Sequence, residues 1–168
     1  MKRNKILPLT RGAVIAALYV LLTYLSFLFG LSSGAVQLRL SEMLTVLPAF
    51  LPEATLGLTV GCLIANLVTG AAVWDVVFGT LATLIGAIGT RLLRHGRFPV
   101  LMTLPTVLAN ALIVPLVIIL SAGGGESFAS FPFFFLTVGL GEILSAGVLG
   151  TVLYRAIEKQ NLLPKLGE

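Results

Sequence analysis

Long apolar segments follow one another along almost the whole chain, and they restrict the fold more than any motif does. They cover residues 12–30, 42–52, 55–70, 75–92, 100–121 and 132–156. A helix needs about 20 apolar residues to cross the hydrocarbon core of a bilayer. With 57% hydrophobic residues and a mean hydropathy of +1.05, the sequence predicts an all-α integral membrane bundle of six transmembrane helices. This single domain occupies residues 1–168 and leaves no room for a soluble catalytic domain.

The second and third segments are short, and the region between them allows two interpretations. Pro48, Pro52 and Glu53 interrupt it, so it forms either a tight hairpin or one broken helix. The basic residues favour the hairpin, because ten of the eleven lie in three clusters. These clusters are Lys2, Arg3, Lys5 and Arg11, then Arg91, Arg94 and Arg97, and finally Arg155, Lys159 and Lys165.

The positive-inside rule places all three clusters in the cytoplasm. It requires an even number of crossings between successive clusters, so four helices precede the second cluster and two follow it. The N and C termini are then cytoplasmic. Residues 31–41, 71–74 and 122–131 lie outside, and residues 53 and 54 form a minimal inner turn.

Several functions are disfavoured because their motifs are absent. The sequence has no GxxxxGK[ST] motif for ATP hydrolysis and no zinc-ligand spacing. Its only histidine, His95, lies in a basic turn, so a serine nucleophile would have no base. We therefore expect no enzyme, no cofactor and no metal, with catalysis by membrane carboxylates as the less favoured alternative. The net charge of +4 follows from the three cytoplasmic clusters, so nucleic acid is not an expected partner.

Five polar residues in or beside the apolar segments indicate a binding site: Glu42, Asn66, Asp75, Asn110 and Glu142. A carboxylate at the centre of a membrane helix costs roughly 2.5 to 3.5 kcal/mol on insertion scales. On the predicted topology the first three lie near the outer face and the last two near the midplane, which predicts a polar funnel open to the exterior. In the structural alternative Arg39 pairs with Glu42 at the surface, and Asn110 and Glu142 hydrogen-bond across helices.

The composition of this site favours a cationic or donor-rich small molecule, because carboxylates accept hydrogen bonds and amides both donate and accept. Trp74 beside Asp75 offers a stacking face or belongs to the interfacial aromatic belt. In the first segment, Gly12 with Ala16 and Ala13 with Ala17 repeat small residues at four-residue spacing. Such pairs allow helices to approach closely.

The chain resembles the substrate-binding S components of energy-coupling-factor transporters, specifically the queuosine-precursor branch. The resemblance is carried by QLRLSEMLTVLPAFLPEATLGLTVGCLIANLVTG at 37–70, WDVVFGTLATLIGA at 74–87, LPTVLANALIVP at 104–115 and VGLGEILSAGVLG at 138–150. It implies a multi-pass protein of the prokaryotic plasma membrane, with six helices. Its implied partners are a transmembrane coupling subunit and two ATPase subunits, with Ala13 and Ala17 at the interface with the coupling subunit.

The resemblance also implies a cargo, a 7-deazaguanine such as 7-aminomethyl-7-deazaguanine, or queuine. For that cargo, depth and chemistry suggest Glu142 or Glu42 as acceptor of the two adjacent donors of the base and Asp75 as the acid for the amine. The sequence does not decide which acid takes which role. The further roles are carbonyl or ring-nitrogen contacts for Asn66 and Asn110, stacking for Trp74, and ordering of the outer loop against Glu42 for Arg39. The alternatives are an S component for another vitamin, such as thiamine or riboflavin, and a membrane assembly protein that transports nothing.

Overall fold

The protein folds into a helical bundle. A computed structural model describes residues 6–31, 36–96, 98–122 and 127–163, and these residues contain no β-strand. Six helical segments follow one another, in agreement with the six predicted segments. They are α1 (Ile6–Leu28), a 3₁₀ helix (Leu40–Ala49), α2 (Glu53–Val68), α3 (Asp75–Leu92), α4 (Pro99–Ser121) and α5 (Phe128–Lys159).

Four of these helices, α1, α3, α4 and α5, are long and apolar enough to cross a membrane. The 3₁₀ helix and α2 are shorter. The 3₁₀ helix is enclosed by the rest of the bundle, and eight of its ten residues are buried. A 3₁₀ helix rises about 2 Å per residue, against 1.5 Å for an α-helix, so ten residues extend about 20 Å. This stretched conformation lets a short segment pass through the middle of the bundle.

The chain reverses between the 3₁₀ helix and α2, as the hairpin interpretation predicts. Arg11 of α1 lies 3.5 Å from Glu53 at the start of α2. At the same end of the bundle, the rings of Phe50 and Tyr154 are 4.8 Å apart. We call this the Arg11 end. The opposite end, where Arg39 meets the first residue of α3, is the Arg39 end.

Successive segments therefore run in alternating directions, and the described chain starts and finishes at the Arg11 end. Arg91 and Arg94 follow at the close of α3, so the described part of the second basic cluster also lies at this end. Five other residues of the predicted clusters lie outside the described ranges: Lys2, Arg3, Lys5, Arg97 and Lys165.

Helices α1 and α2 pack at very short distance because small residues face one another. A Cβ atom built on Gly57 would lie 2.6 Å from the carbonyl oxygen of Gly12, and one built on Gly61 would lie 3.0 Å from that of Ala16. Gly12 and Ala16 of α1 thus pack against α2 within the bundle. Ala13 and Ala17, the second pair of small residues, stay exposed on the surface of α1.

We expect Gly57→Ala to destabilise the bundle by about 1–3 kcal/mol, since the added methyl group collides with the backbone of α1. Gly139→Ala is the matched control, because a Cβ there meets only Ala111 at an ordinary 3.7 Å. Helix propensity alone favours alanine by up to about 1 kcal/mol at both sites. Thermal unfolding in detergent measures the difference, and equal stability of the two variants would contradict the close approach.

Candidate functional site

Glu42, Asn110 and Glu142 form a buried group in the middle of the bundle, which we call the polar cluster. They come from the 3₁₀ helix, α4 and α5, and only 1%, 3% and 5% of their surfaces are exposed. Asn110 lies beside both carboxylates, and Glu42 lies within electrostatic range of Glu142. Three of the predicted site residues therefore meet, although they are far apart in the sequence.

The polar cluster keeps three atoms without a hydrogen-bond partner among the described residues. They are Oε2 of Glu42, Nδ2 of Asn110 and Oε2 of Glu142, all fully buried. Although Asn110 lies next to both carboxylates, its Nδ2 makes no hydrogen bond of ordinary geometry with either. An unsatisfied buried polar group costs about 1–3 kcal/mol, and native proteins contain few of them. Two acceptors and one donor that are left unpaired together are suited to a polar ligand.

A row of polar side chains on α1 holds the start of the 3₁₀ helix and orients Glu42. The hydroxyl group of Tyr19, itself 1% exposed, donates a hydrogen bond to Oε1 of Glu42. Thr23 Oγ1 donates to Ser41 Oγ at 2.8 Å, and the amide of Leu40 donates to the hydroxyl of Ser26 at 2.9 Å. The sequence reasoning missed Tyr19. Its signal was the spacing of positions 19, 23 and 26, which places three polar groups on one face of an apolar helix.

Arg39 forms its ion pair with Asp75 and not with Glu42, the partner that the structural alternative gave it. Arg39 Nη2 lies 2.9 Å from Asp75 Oδ2, and only 18% and 13% of these side chains are exposed. Arg39 precedes the 3₁₀ helix in an extended conformation, so its side chain reaches across to α3, while Glu42 in the first turn faces Tyr19. The second oxygen of Asp75, Oδ1, has no partner and is packed against Gly79, where a Cβ atom would lie 2.7 Å from it.

Two of the acidic residues adjoin π-helical turns. Asp75 begins the π-helical turn Asp75–Gly79, and Glu142 directly precedes a second one, Ile143–Leu149. Asn66 is 2% exposed and donates from Nδ2 to the backbone carbonyl of Asp75 at 3.1 Å, so it supports the irregular turn. A ligand contact of Asn66 stays a prediction. Because π-helical turns are frequent at functional sites, both turns support a site here.

A cavity of about 420 Å³ opens at the Arg39 end, within the size range of small-molecule sites. Arg39 and Asp75 provide its charged wall. Gln37 also lines it, and the backbone of Gln37 touches α5 at Gly141, where any Cβ would clash with the Gln37 carbonyl. None of the three residues of the polar cluster lines this cavity, but Arg39 does, and it lies within electrostatic range of both Glu42 and Glu142. The remaining lining residues are Ala71, Ala72, Val114, Val117, Ile118, Ser121 and Ala122.

Trp74 is not among the residues that line this cavity. Its ring stacks on Phe78 with the centroids 5.9 Å apart, and 47% of its surface is exposed. This placement is typical of the interfacial aromatic belt. Stacking of Trp74 on a ligand stays a prediction.

The predicted partner residues lie on the opposite part of the surface. Ala13 lines an almost entirely apolar groove of about 520 Å³ between α1 and α2 at the Arg11 end, and Ala17 is exposed one turn further along α1. The other lining residues are Pro8, Leu9, Gly12, Ala16, Glu53, Leu56, Gly57 and Val60. The groove at the Arg11 end and the cavity at the Arg39 end thus share no lining residue.

Comparison with known proteins identifies the family. The family model described as QueT transporter matches residues 9–159. A curated relative, the queuosine precursor transporter QueT of Lactococcus lactis subsp. cremoris (strain MG1363), is 39% identical over 85 residues. This alignment covers 51% of the chain and 50% of the relative, so the match spans about half the length of each protein. No solved structure matches the chain significantly. The sequence, the apolar helices and the family match together show a multi-pass membrane protein that belongs to the QueT transporter family.

Proposed function

We propose that this protein is the membrane-embedded substrate-binding subunit of an energy-coupling-factor importer and that it captures a queuosine precursor from outside the cell. The Lactococcus relative is named a queuosine precursor transporter, and that name supports the cargo. The observation that carries the proposal is the polar cluster, in which two carboxylate oxygens and one amide nitrogen are buried without a partner among the described residues. Both termini are then cytoplasmic, and the Arg39 end faces the exterior.

The chemistry of the polar cluster suits a 7-deazaguanine. The guanine-like edge of such a base presents two adjacent N–H donors and a carbonyl acceptor in one plane, and an aminomethyl group at position 7 adds a cation. The unpaired atoms of Glu42 and Glu142 accept, whereas Nδ2 of Asn110 donates. Arg39 is the cation that acts on both glutamates, and it already pairs with Asp75. A cationic ligand compensates the charge that remains.

The apolar groove at the Arg11 end is our candidate contact surface for the partner that supplies energy. The sequence contains no nucleotide-binding GxxxxGK[ST] motif, so in this proposal ATP is hydrolysed by two partner subunits. The exposed alanines of α1 are our candidate contact with a transmembrane coupling subunit, because small residues let another helix approach closely. Helix α1 would then present Ala13 and Ala17 to the partner and Tyr19 to the interior of the bundle.

A thermal-shift titration of the purified protein tests the cargo. We expect 7-aminomethyl-7-deazaguanine to raise the unfolding temperature saturably, since a ligand that binds only the folded state stabilises it. Thiamine and riboflavin should leave the unfolding temperature unchanged. Stabilisation by a vitamin alone would overturn the cargo but keep the transporter class. No response to any ligand would favour an assembly protein that binds no small molecule.

A further inference from the structure

The two carboxylates of the polar cluster differ in what their oxygens already bind. Oε1 of Glu42 accepts the hydroxyl group of Tyr19, and only Oε2 stays unpaired. No hydroxyl group of the described residues donates to Glu142, whose Oε2 is also unpaired, and Nδ2 of the adjacent Asn110 makes no hydrogen bond of ordinary geometry. Glu42 is therefore a partly occupied acceptor, while Glu142 and Asn110 form an unoccupied pair.

This difference matters for a planar base edge. Two adjacent N–H donors are matched by the two oxygens of a single carboxylate, as in bidentate recognition. The buried ring of Tyr19 occupies the space in front of Glu42 Oε1, so Glu42 offers one oxygen only. Glu142 accepts no such hydroxyl group, so its carboxylate is the better match for the two adjacent donors, and the neighbouring Nδ2 of Asn110 is a donor for the carbonyl group of a guanine-like edge.

Asp75 is the other acid near the site, and Arg39 already pairs with its charge. Oδ2 is held by Arg39 at 2.9 Å, and Oδ1 is turned against Gly79 on its own helix. Sequence reasoning suggested Asp75 for the ligand amine without deciding between the acids, and this geometry favours Oε2 of Glu42. Asp75 instead holds Arg39 in place at the cavity wall.

We infer that Tyr19 is a positioning residue that sets the ligand specificity of the site. The hydroxyl group of Tyr19 occupies Oε1, so Glu42 can accept from a single ligand donor, the ammonium group. The base edge then binds to Glu142 and Asn110. This inference rests on the proposed function and goes beyond it, because it assigns each carboxylate to one part of the ligand.

Calorimetry with three probes tests the assignment. The probes are 7-aminomethyl-7-deazaguanine, its 7-methyl analogue without the amine, and 7-aminomethyl-7-deazahypoxanthine without the 2-amino donor. We expect the wild-type protein to prefer the first probe over each of the others by roughly 10-fold or more, the worth of one charged hydrogen bond. Glu142→Gln should lose the discrimination against the deazahypoxanthine only, and Glu42→Gln should lose the discrimination against the methyl analogue only.

Tyr19→Phe separates positioning from a general structural role. It should reproduce the pattern of Glu42→Gln, a loss of amine discrimination with base-edge discrimination retained. Tyr24→Phe is the matched control, because Tyr24 lies on the same helix with 40% of its surface exposed, and it should behave like wild type.

The outcomes are distinct. The crossed pattern of losses supports the inference. A reversed pattern, an equal loss of both discriminations in every variant, or a Tyr19→Phe protein indistinguishable from Tyr24→Phe overturns it while the proposed function stands. A wild-type protein that binds none of the three probes overturns the proposed function and this inference with it.

Discussion

A leucine at Ala13 or Ala17 should abolish uptake of the precursor while binding to the isolated protein stays unchanged. Both alanines are exposed on α1, and Ala13 lines the apolar groove at the Arg11 end. A larger side chain there holds a partner helix away, because close helix packing in membranes depends on small residues. The polar cluster contacts α1 through the buried Tyr19, so neither substitution touches it. Uptake is measured in vesicles that contain the coupling and ATPase subunits, and binding in detergent by calorimetry.

The control for this pair of variants is Val148→Leu. Val148 is 51% exposed on α5, so the change also adds bulk to a surface of the bundle. We expect full uptake in this variant. Normal uptake in the Ala13 and Ala17 variants would contradict the partner interface, and a loss of binding in them would show that the change disturbs the bundle itself.

Removal of Arg39 should have the largest effect on stability. Arg39→Met leaves the carboxylate of Asp75, which is only 13% exposed, without its cation. Breaking a buried ion pair by removing one partner typically costs 3–5 kcal/mol, so we expect the free energy of unfolding to fall by about 3 kcal/mol or more. Adding Asp75→Asn to the variant should restore most of this loss.

Arg11→Met is the matched comparison for Arg39→Met. Arg11 also faces a carboxylate, that of Glu53 at 3.5 Å, but 40% of its side chain is exposed. An ion pair exposed to this degree contributes about 1 kcal/mol or less. Equal losses in the Arg11 and Arg39 variants, measured by chemical unfolding in the same detergent, would contradict the structural importance of the Arg39–Asp75 pair.

The sequence predicted the helical segments well because lipid imposes a simple rule on them. Each apolar segment produced a helix, and the charge clusters correctly predicted the hairpin at Pro52, since both depend on solvation more than on detailed packing. The 3₁₀ conformation of Leu40–Ala49 could not be predicted. It results from tertiary enclosure, because the surrounding helices bury a segment too short to span the bundle as an α-helix.

The sequence predicted which residues form the polar cluster, but not which side chains near it pair with one another. Glu42, Asn110 and Glu142 stand out because polar groups in apolar helices are costly, and the structure brings them together. The partner of Arg39 depends on the direction of the chain before the 3₁₀ helix, which sequence distance does not reveal. Tyr19 was missed for a related reason, since a tyrosine in an apolar segment is ordinary until its hydroxyl group is seen to meet Glu42.

A calorimetric titration of 7-aminomethyl-7-deazaguanine into the purified protein and into its Glu142→Gln variant tests whether the polar cluster binds the cargo. We expect saturable binding at one site in the wild-type protein. We also expect Glu142→Gln to weaken binding by roughly 1.5 to 3 kcal/mol, the contribution of a hydrogen bond to a charged group. Thermal unfolding of the variant in the absence of ligand checks that it folds. Equal affinity of the two proteins would reduce Glu142 to a structural contact between helices, and it would contradict the proposal that the polar cluster binds the cargo.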